Sequence, residues 1–191
     1  MEVRALRVAP GVRVRQVDPD AALVAAARAE PRMFLGLYDR YFDRVLGYVR
    51  VQIRDEATCE DVTSTVFTTA LAQLGRFRGH GSFAGWLFQI ARNAVRDVQR
   101  RPSAECLPLT LDAASSEPGL EEQLLARERA ARLREVVCLL EPEQQHLLAL
   151  RYGADLAFEE IGQIVGASAG TVRVRLHRIL LELRRRYPHD D

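Results

Sequence analysis

The chain has 191 residues, of which 48% are hydrophobic and 28% charged, and its formal net charge is +1. That is room for one ordinary domain or two small ones, each with a packed core. All 27 basic residues are arginine, which excludes chemistry that needs a lysine, such as a Walker-A phosphate loop or a Schiff base.

The low aromatic share and the abundance of Ala, Leu and Arg favour helix over sheet. Cys59, Cys106 and Cys138 are far apart and form no Cys-x-x-Cys pair; they read as small buried or incidental thiols in a reducing cytoplasm. No apolar run approaches the roughly 20 residues that span a bilayer. Arg4, Arg7, Pro10, Arg13 and Arg15 interrupt the N-terminus, which therefore lacks the apolar core of a signal peptide. The expectation is a cytoplasmic protein without membrane insertion.

In chain order, residues 1–20 alternate Val and Arg around a Pro-Gly step and read as a poorly ordered arm. From Pro31 the helical period is clear: Phe34, Leu37, Tyr38, Tyr41, Phe42, Val45 and Val49 share a stripe. Asp55-Glu56 opens a second helix with inner positions Val62, Val66, Ala70 and Leu74. Glycines at 75, 79 and 81 break the pattern. Ser82 then caps a third helix running to about Arg100, with Phe83, Leu87, Ile90, Ala94 and Val98 as its buried stripe; Pro102 stops it. The Pro- and Ser-containing stretch 102–119 reads as a linker. Helices resume over about 120–140, 142–152, 158–165 and 169–186. The fold class expected is all-α, two small helical domains (21–101 and 120–191) joined by a flexible tether.

Residues 159–168 read as helix, tight turn and helix start. Gly166 supplies the turn's positive φ, Gly162 permits a close crossing, and Ser168 caps the next helix. On that helix Val172, Leu176, Ile179 and Leu183 form the inner stripe, leaving Thr171, Arg173, Arg175, His177 and Arg178 elsewhere. Between 170 and 187 six Arg face one acid, Glu182, whereas 143–165 carries four acids against Arg151. A basic second helix after a tight turn is the pattern of a DNA recognition helix.

The third helix carries Gln89, Arg92, Asn93, Arg96 and Arg100 on one side. Before it, residues 76–83 interleave Arg76, Phe77, Arg78, His80, Ser82 and Phe83 with glycines. Aromatics with arginines can hold unstacked bases of a single strand. Core packing is the competing reading for Phe83 and the favoured one for Trp86, whereas Phe77 reads as more open.

Laid end to end, residues 30–187 resemble an extracytoplasmic-function (ECF) sigma factor of the sigma-70 family. Leu37-Tyr38-x-x-Tyr41, Glu60-Asp61-Val62 with Val66-Phe67, and Phe77-Arg78-Gly79 leading to Ser82-Phe83-x-x-Trp86-Leu87-Phe88-x-Ile90-Ala91-x-Asn93 are similar to sigma region 2. Leu140-Glu141-Pro142-Glu143-Gln144, Phe158-Glu159-Glu160-Ile161 and the stretch from Gly170 to Arg178 are similar to region 4. Ser64 and Thr65 stand where the family often has Gln and Glu, and Val174 where Ser is usual.

The resemblance implies promoter-specific transcription initiation. Its partners would be core RNA polymerase, through clamp helices and flap, promoter DNA, and an anti-sigma factor. It implies −35 contacts by Thr171, Arg173, Val174, Arg175, His177 and Arg178. It implies −10 contacts by Phe77, Arg78, His80, Ser82, Phe83, Gln89, Arg92, Asn93, Arg96 and Arg100. Asp61, Val62, Thr65, Val66 and Phe67 would bind the polymerase. No catalytic residue, cofactor or metal is expected, since His80, His146, His177 and His189 are scattered without ligand spacing. The alternative is a helix-turn-helix regulator whose N-terminal half senses a signal or dimerises.

Overall fold

The computed structural model describes residues 18–79, 81–100, 132–133 and 136–186. Among them the structure is helical: α1 (Ala21–Ala29), a 3-10 turn (Pro31–Phe34), α2 (Leu35–Arg50), α3 (Glu56–Gln73), a 3-10 turn (Leu74–Arg76), α4 (Phe83–Arg100), α5 (Pro142–Leu148), a π turn (Ala149–Gly153), α6 (Phe158–Val165) and α7 (Ala169–Arg186). The expected tether over 102–119 and the arm over 1–17 lie outside the described residues, as does most of the helix expected over 120–140.

Helix α2 buries Leu37, Tyr41, Val45, Leu46, Tyr48 and Val49, while Tyr38 and Phe42 are half-buried at the stripe's edge. Asp55 caps α3 by accepting from the Thr58 N–H at 2.7 Å. This bond and the one from the Thr58 hydroxyl hold its carboxyl below the usual carboxylate range. Helix α3 packs on both α2 and α4, so it is apolar on two sides: Cys59, Val62, Thr63, Val66, Phe67 and Ala70 are all buried. Buried Thr63 satisfies its hydroxyl on the Cys59 carbonyl.

Two expectations change. Helix α1 was not anticipated; its only bulky apolar residues are Leu23 and Val24, and it buries Val24 and Ala27. The inner face of α4 is rotated from the expected stripe. Phe83, Ala84, Leu87, Phe88, Ala91 and Val95 are fully buried, and Ile90, Ala94 and Val98 only partly. Helix α4 lies against α2, α3 and α6 together, and an element with three neighbours buries a wider band than a surface helix.

The C-terminal half follows its pattern closely. Gly166 adopts φ 70°, the left-handed conformation that ends α6, and the Ser168 hydroxyl accepts from the Thr171 N–H at 3.1 Å to start α7. A side chain on Gly162 would meet the Ala167 carbonyl oxygen at 2.5 Å, so this position needs glycine for the turn to fold back. Val172, Leu176, Ile179 and Leu183 are all buried.

The two halves also pack on one another, sharing one continuous hydrophobic core. The 149–153 turn lies along α2, and α6 meets α4.

Candidate nucleic-acid interface

Helix α7 separates its two faces cleanly. Opposite its buried stripe, Thr171, Arg173, Val174, Arg175, His177 and Arg178 are all exposed, Val174 at 51%. The Arg173 guanidinium lies over the Phe158 ring, 5.0 Å from its centroid. Further along, Arg186 is engaged by Glu182 at 2.7 Å and by the Leu139 carbonyl. Exposed arginines thus stand at both ends of α7, with Arg184 and Arg185 in its last turn and Arg173, Arg175 and Arg178 in its N-terminal half, the end that enters a groove in helix-turn-helix proteins.

The residues expected around the loop 76–83 divide differently. Phe77 and Phe83 are buried, 6% and 0% exposed, and pack edge-on to each other at 6.0 Å and against Trp86 at 5.2 and 5.7 Å. Neither ring offers a face to an unstacked base in this conformation, which corrects the open reading of Phe77: three large apolar rings so close together exclude water and one another's edges serve as partners. Arg78 is exposed between the buried Phe77 and Gly79, which has φ 69°. His80 lies outside the described residues. Ser82 caps α4 by accepting from Gly85 N–H at 3.1 Å. On α4, Gln89 and Asn93 are exposed and joined, the Gln89 amide donating to Asn93 at 3.1 Å. Arg100 is exposed, Arg96 half-buried, and Arg92 is paired with Glu143.

A third group lies on α3. Asp61 and Thr65 are exposed and share one turn, the Thr65 hydroxyl donating to the Asp61 carbonyl at 2.8 Å. Val62, Val66 and Phe67, expected beside them as contacts, are 5%, 0% and 4% exposed. The Phe67 ring sits among Phe34, Tyr38 and Phe42 at 4.7 to 6.5 Å. These three side chains build the core and present nothing to a partner in this conformation.

Several residues that position these surfaces were not singled out by the sequence. The Asp18 carboxylate accepts from Phe83 N–H at 2.8 Å and from Asp20 N–H at 3.1 Å, so it caps α4 from 65 positions away. Asp20, 1% exposed, accepts from the Tyr41 hydroxyl and pairs with Arg40 at 3.2 Å. Burial, with this carboxylate adding to it, pushes the Tyr41 phenol well above its usual pKa. The Asp18-Pro19-Asp20 step before an Ala-rich run was the available signal. Gln145, also buried, donates to the Cys138 and Leu140 carbonyls and so ties α5 to the preceding chain. Among the described residues no group of three or more His, Cys, Asp or Glu is placed to hold a metal ion, and no helix is long and apolar enough to cross a membrane.

Comparison with known proteins agrees with this layout. The family described as Sigma-70 region 2 matches residues 37–104, and Sigma-70, region 4 matches residues 139–185. ECF RNA polymerase sigma factor BldN of Streptomyces coelicolor is 35% identical over 183 residues, 91% of this chain and 69% of that protein. RNA polymerase sigma factor YlaC of Bacillus subtilis is 32% identical over 157 residues, 78% of this chain and 88% of that protein. Among solved structures, CnrH in complex with the cytosolic domain of CnrY superposes with a TM-score of 0.68 at 23% identity, covering 91% of this chain and 100% of that one. Two family matches in this order, with relatives similar across both, assign the chain to the ECF group of the sigma-70 family of RNA polymerase sigma factors.

Proposed function

We propose that this sigma factor directs transcription initiation by reading a −35 duplex with α7 and a −10 strand with α4 and the preceding loop. The observation that carries the reading is the division of α7: an aliphatic stripe wholly buried, and Arg173, Arg175 and Arg178 wholly outside. Arginine forks match phosphates and the O6/N7 edge of guanine. Exposed Val174 has a side chain that contacts a thymine methyl and donates no hydrogen bond. Thr171 and His177 complete the surface as shorter polar contacts.

For the −10 strand, Arg92, Arg96 and Arg100 hold phosphates, and Asn93, Gln89, Arg78, His80 and Ser82 face a base drawn out of the stack. Phe77 and Phe83 support that loop from beneath instead of stacking on the base. Asp61 and Thr65 form the polar contact with the polymerase clamp helices, and buried Val62, Val66 and Phe67 anchor α3 in the core beneath them. The chain supplies recognition to the polymerase and performs no bond chemistry itself. An anti-sigma factor that covers both regions is the regulator this assignment calls for.

Transcription from promoter fragments with purified bacterial core polymerase tests the reading. Specific transcripts should appear only with the protein and vanish in the Arg173→Ala/Arg175→Ala variant. Duplex binding without association with core would sink it in favour of an ordinary helix-turn-helix regulator.

A further inference from the structure

The segment from Asp18 through α1 touches both ends of the loop that links α3 to α4. At the upstream end, Arg28 Nε donates to the Leu74 carbonyl at 3.2 Å, and its guanidinium lies over the Phe77 ring, 5.8 Å from the centroid. The same carbonyl accepts from the Phe77 N–H at 3.2 Å, so Arg28 reinforces the turn from which the loop departs. At the downstream end, the Asp18 carboxylate accepts from the Phe83 N–H at 2.8 Å.

Neither contact is needed to form a helix. Ser82 already caps α4 through the Gly85 N–H, and the 3-10 turn Leu74–Arg76 closes on the Phe77 N–H. What the two contacts add is position. Gly79 and Gly81 take φ values of 69° and 98°, and glycine loses more conformational freedom on being fixed than any other residue. Two grips from outside the loop reduce that freedom before a strand arrives. A site ordered in advance binds without paying for the ordering. The neighbouring packing works in the same direction: Tyr41 donates to Asp20, and its ring lies 5.6 Å from that of Phe83.

We propose that Asp18 and Arg28 are positioning residues for −10 strand recognition, holding the loop between Phe77 and Phe83 at its two ends. Selectivity at the −10 element then depends on a segment that precedes residue 37, where the region 2 match begins. This rests on the −10 reading proposed above. Arg28 and Arg78, the latter assigned there to the strand, line one open groove with Phe77, so the tie lies beside the surface whose shape it sets.

Selection from a DNA pool randomised over both element positions, with core polymerase and the full chain, tests this. Sequencing the bound fragments reads the base preference at each element. The wild type should show a preference at both. Asp18→Ala should flatten the −10 preference by roughly 2- to 30-fold, the range that a lost helix cap corresponds to, and leave the −35 preference intact. Asp18→Asn, whose amide oxygen still accepts from an N–H, should recover part of the loss. Arg28→Ala, on an exposed side chain, should flatten the same −10 positions by roughly 2- to 5-fold. Helical circular dichroism confirms that each variant is folded at the selection temperature. A wild-type −10 preference in both alanine variants overturns the proposal, as does an equal fall at −35 and −10. Asp18→Asn behaving as Asp18→Ala overturns the capping role. A uniform loss of affinity in Arg28→Ala with a flatter salt dependence would make Arg28 a phosphate contact and overturn its positioning role. A wild type that selects at −35 and not at −10 would refute the −10 reading itself, an outcome visible before any variant is made.

Discussion

Arg173 of α7 and Phe158 of α6 are stacked, guanidinium over ring, at 5.0 Å, and Arg151 approaches the same ring at 5.2 Å. The first turn of one helix thereby steadies the first exposed arginine of the next. A cation over an aromatic face at an exposed site contributes about 0.5–1 kcal/mol, too little to hold the domain together and enough to bias a side chain's direction. Phe158→Leu should therefore weaken −35 duplex binding about 2- to 5-fold by that amount. Arg173→Ala, which removes the contact with DNA as well, should cost about 1–3 kcal/mol if it reads a base. Fluorescence anisotropy at several salt concentrations separates the two. A flatter salt slope for Arg173→Ala with equal losses on all sequences would mark a phosphate contact instead.

Helix α3 offers a sharper separation between fold and partner. Phe67→Ala should lower stability by about 3–5 kcal/mol, as truncation of a buried phenylalanine does. Asp61→Ala, on an exposed position, should change stability by less than about 0.5 kcal/mol while reducing affinity for core polymerase. Chemical denaturation and a pull-down with core, run on both variants, check this. Loss of polymerase binding by a Phe67→Ala chain that stays fully folded would show that α3 rearranges on its partner.

The turn of the helix-turn-helix has its own test. Gly166 at φ 70° occupies a conformation that costs an ordinary residue about 1–2 kcal/mol. Gly166→Ala should lower the melting temperature by that much in free energy and displace α7, while Gly166→Asn should recover part of the loss. An unchanged melting temperature for the alanine variant would mean that the turn is free to take another form.

His146 gives a pH signature. Burial, with Arg92 nearby, pulls its pKa down from 6.5 to about 4. The folded form with its two halves packed therefore refuses a proton that the open or unfolded chain accepts below pH 6.5. The stability due to neutral His146 is complete above that value, is lost progressively as the pH falls toward 4, and falls no further below it. The full span is about 3 kcal/mol at 1.36 kcal/mol per pKa unit. The Tyr48 hydroxyl, 2.8 Å from His146 Nδ1 and raised by burial to about 12, stays protonated throughout and can donate to the neutral ring. Denaturation midpoints of wild type and His146→Leu across this range should show a shallower acid slope in the variant. Parallel slopes would remove His146 as the cause.

The helix-turn-helix was legible because each of its devices is local: a period of three to four in Val172, Leu176, Ile179 and Leu183, a glycine at 166 and a cap at 168. Helix α1 was not, because alanines carry no stripe for periodicity to find. The face of α4 was read slightly rotated because periodicity assumes one partner, whereas α4 packs against α2, α3 and α6. The aromatic loop was read as open at Phe77 because Arg and Gly on either side suggest solvent; only the convergence of Phe77, Phe83 and Trp86 in space shows a core. Nothing local marks Gly47 or Gly153, whose backbones meet so closely that a Cβ on Gly47 would lie 2.1 Å from the Gly153 carbonyl oxygen.

The cap that Asp18 places on α4 bears on how the protein can be cut and shuffled. A fragment beginning at residue 37, where the region 2 match starts, would carry all of α4 and lack the carboxylate that holds its first N–H, together with Asp20 beneath Tyr41. Such a fragment should melt earlier and fray at the end nearest the loop. Domain-swap chimaeras joined at that boundary would inherit a foreign upstream segment against a native helix end. The smallest transferable unit of this region therefore begins no later than Asp18.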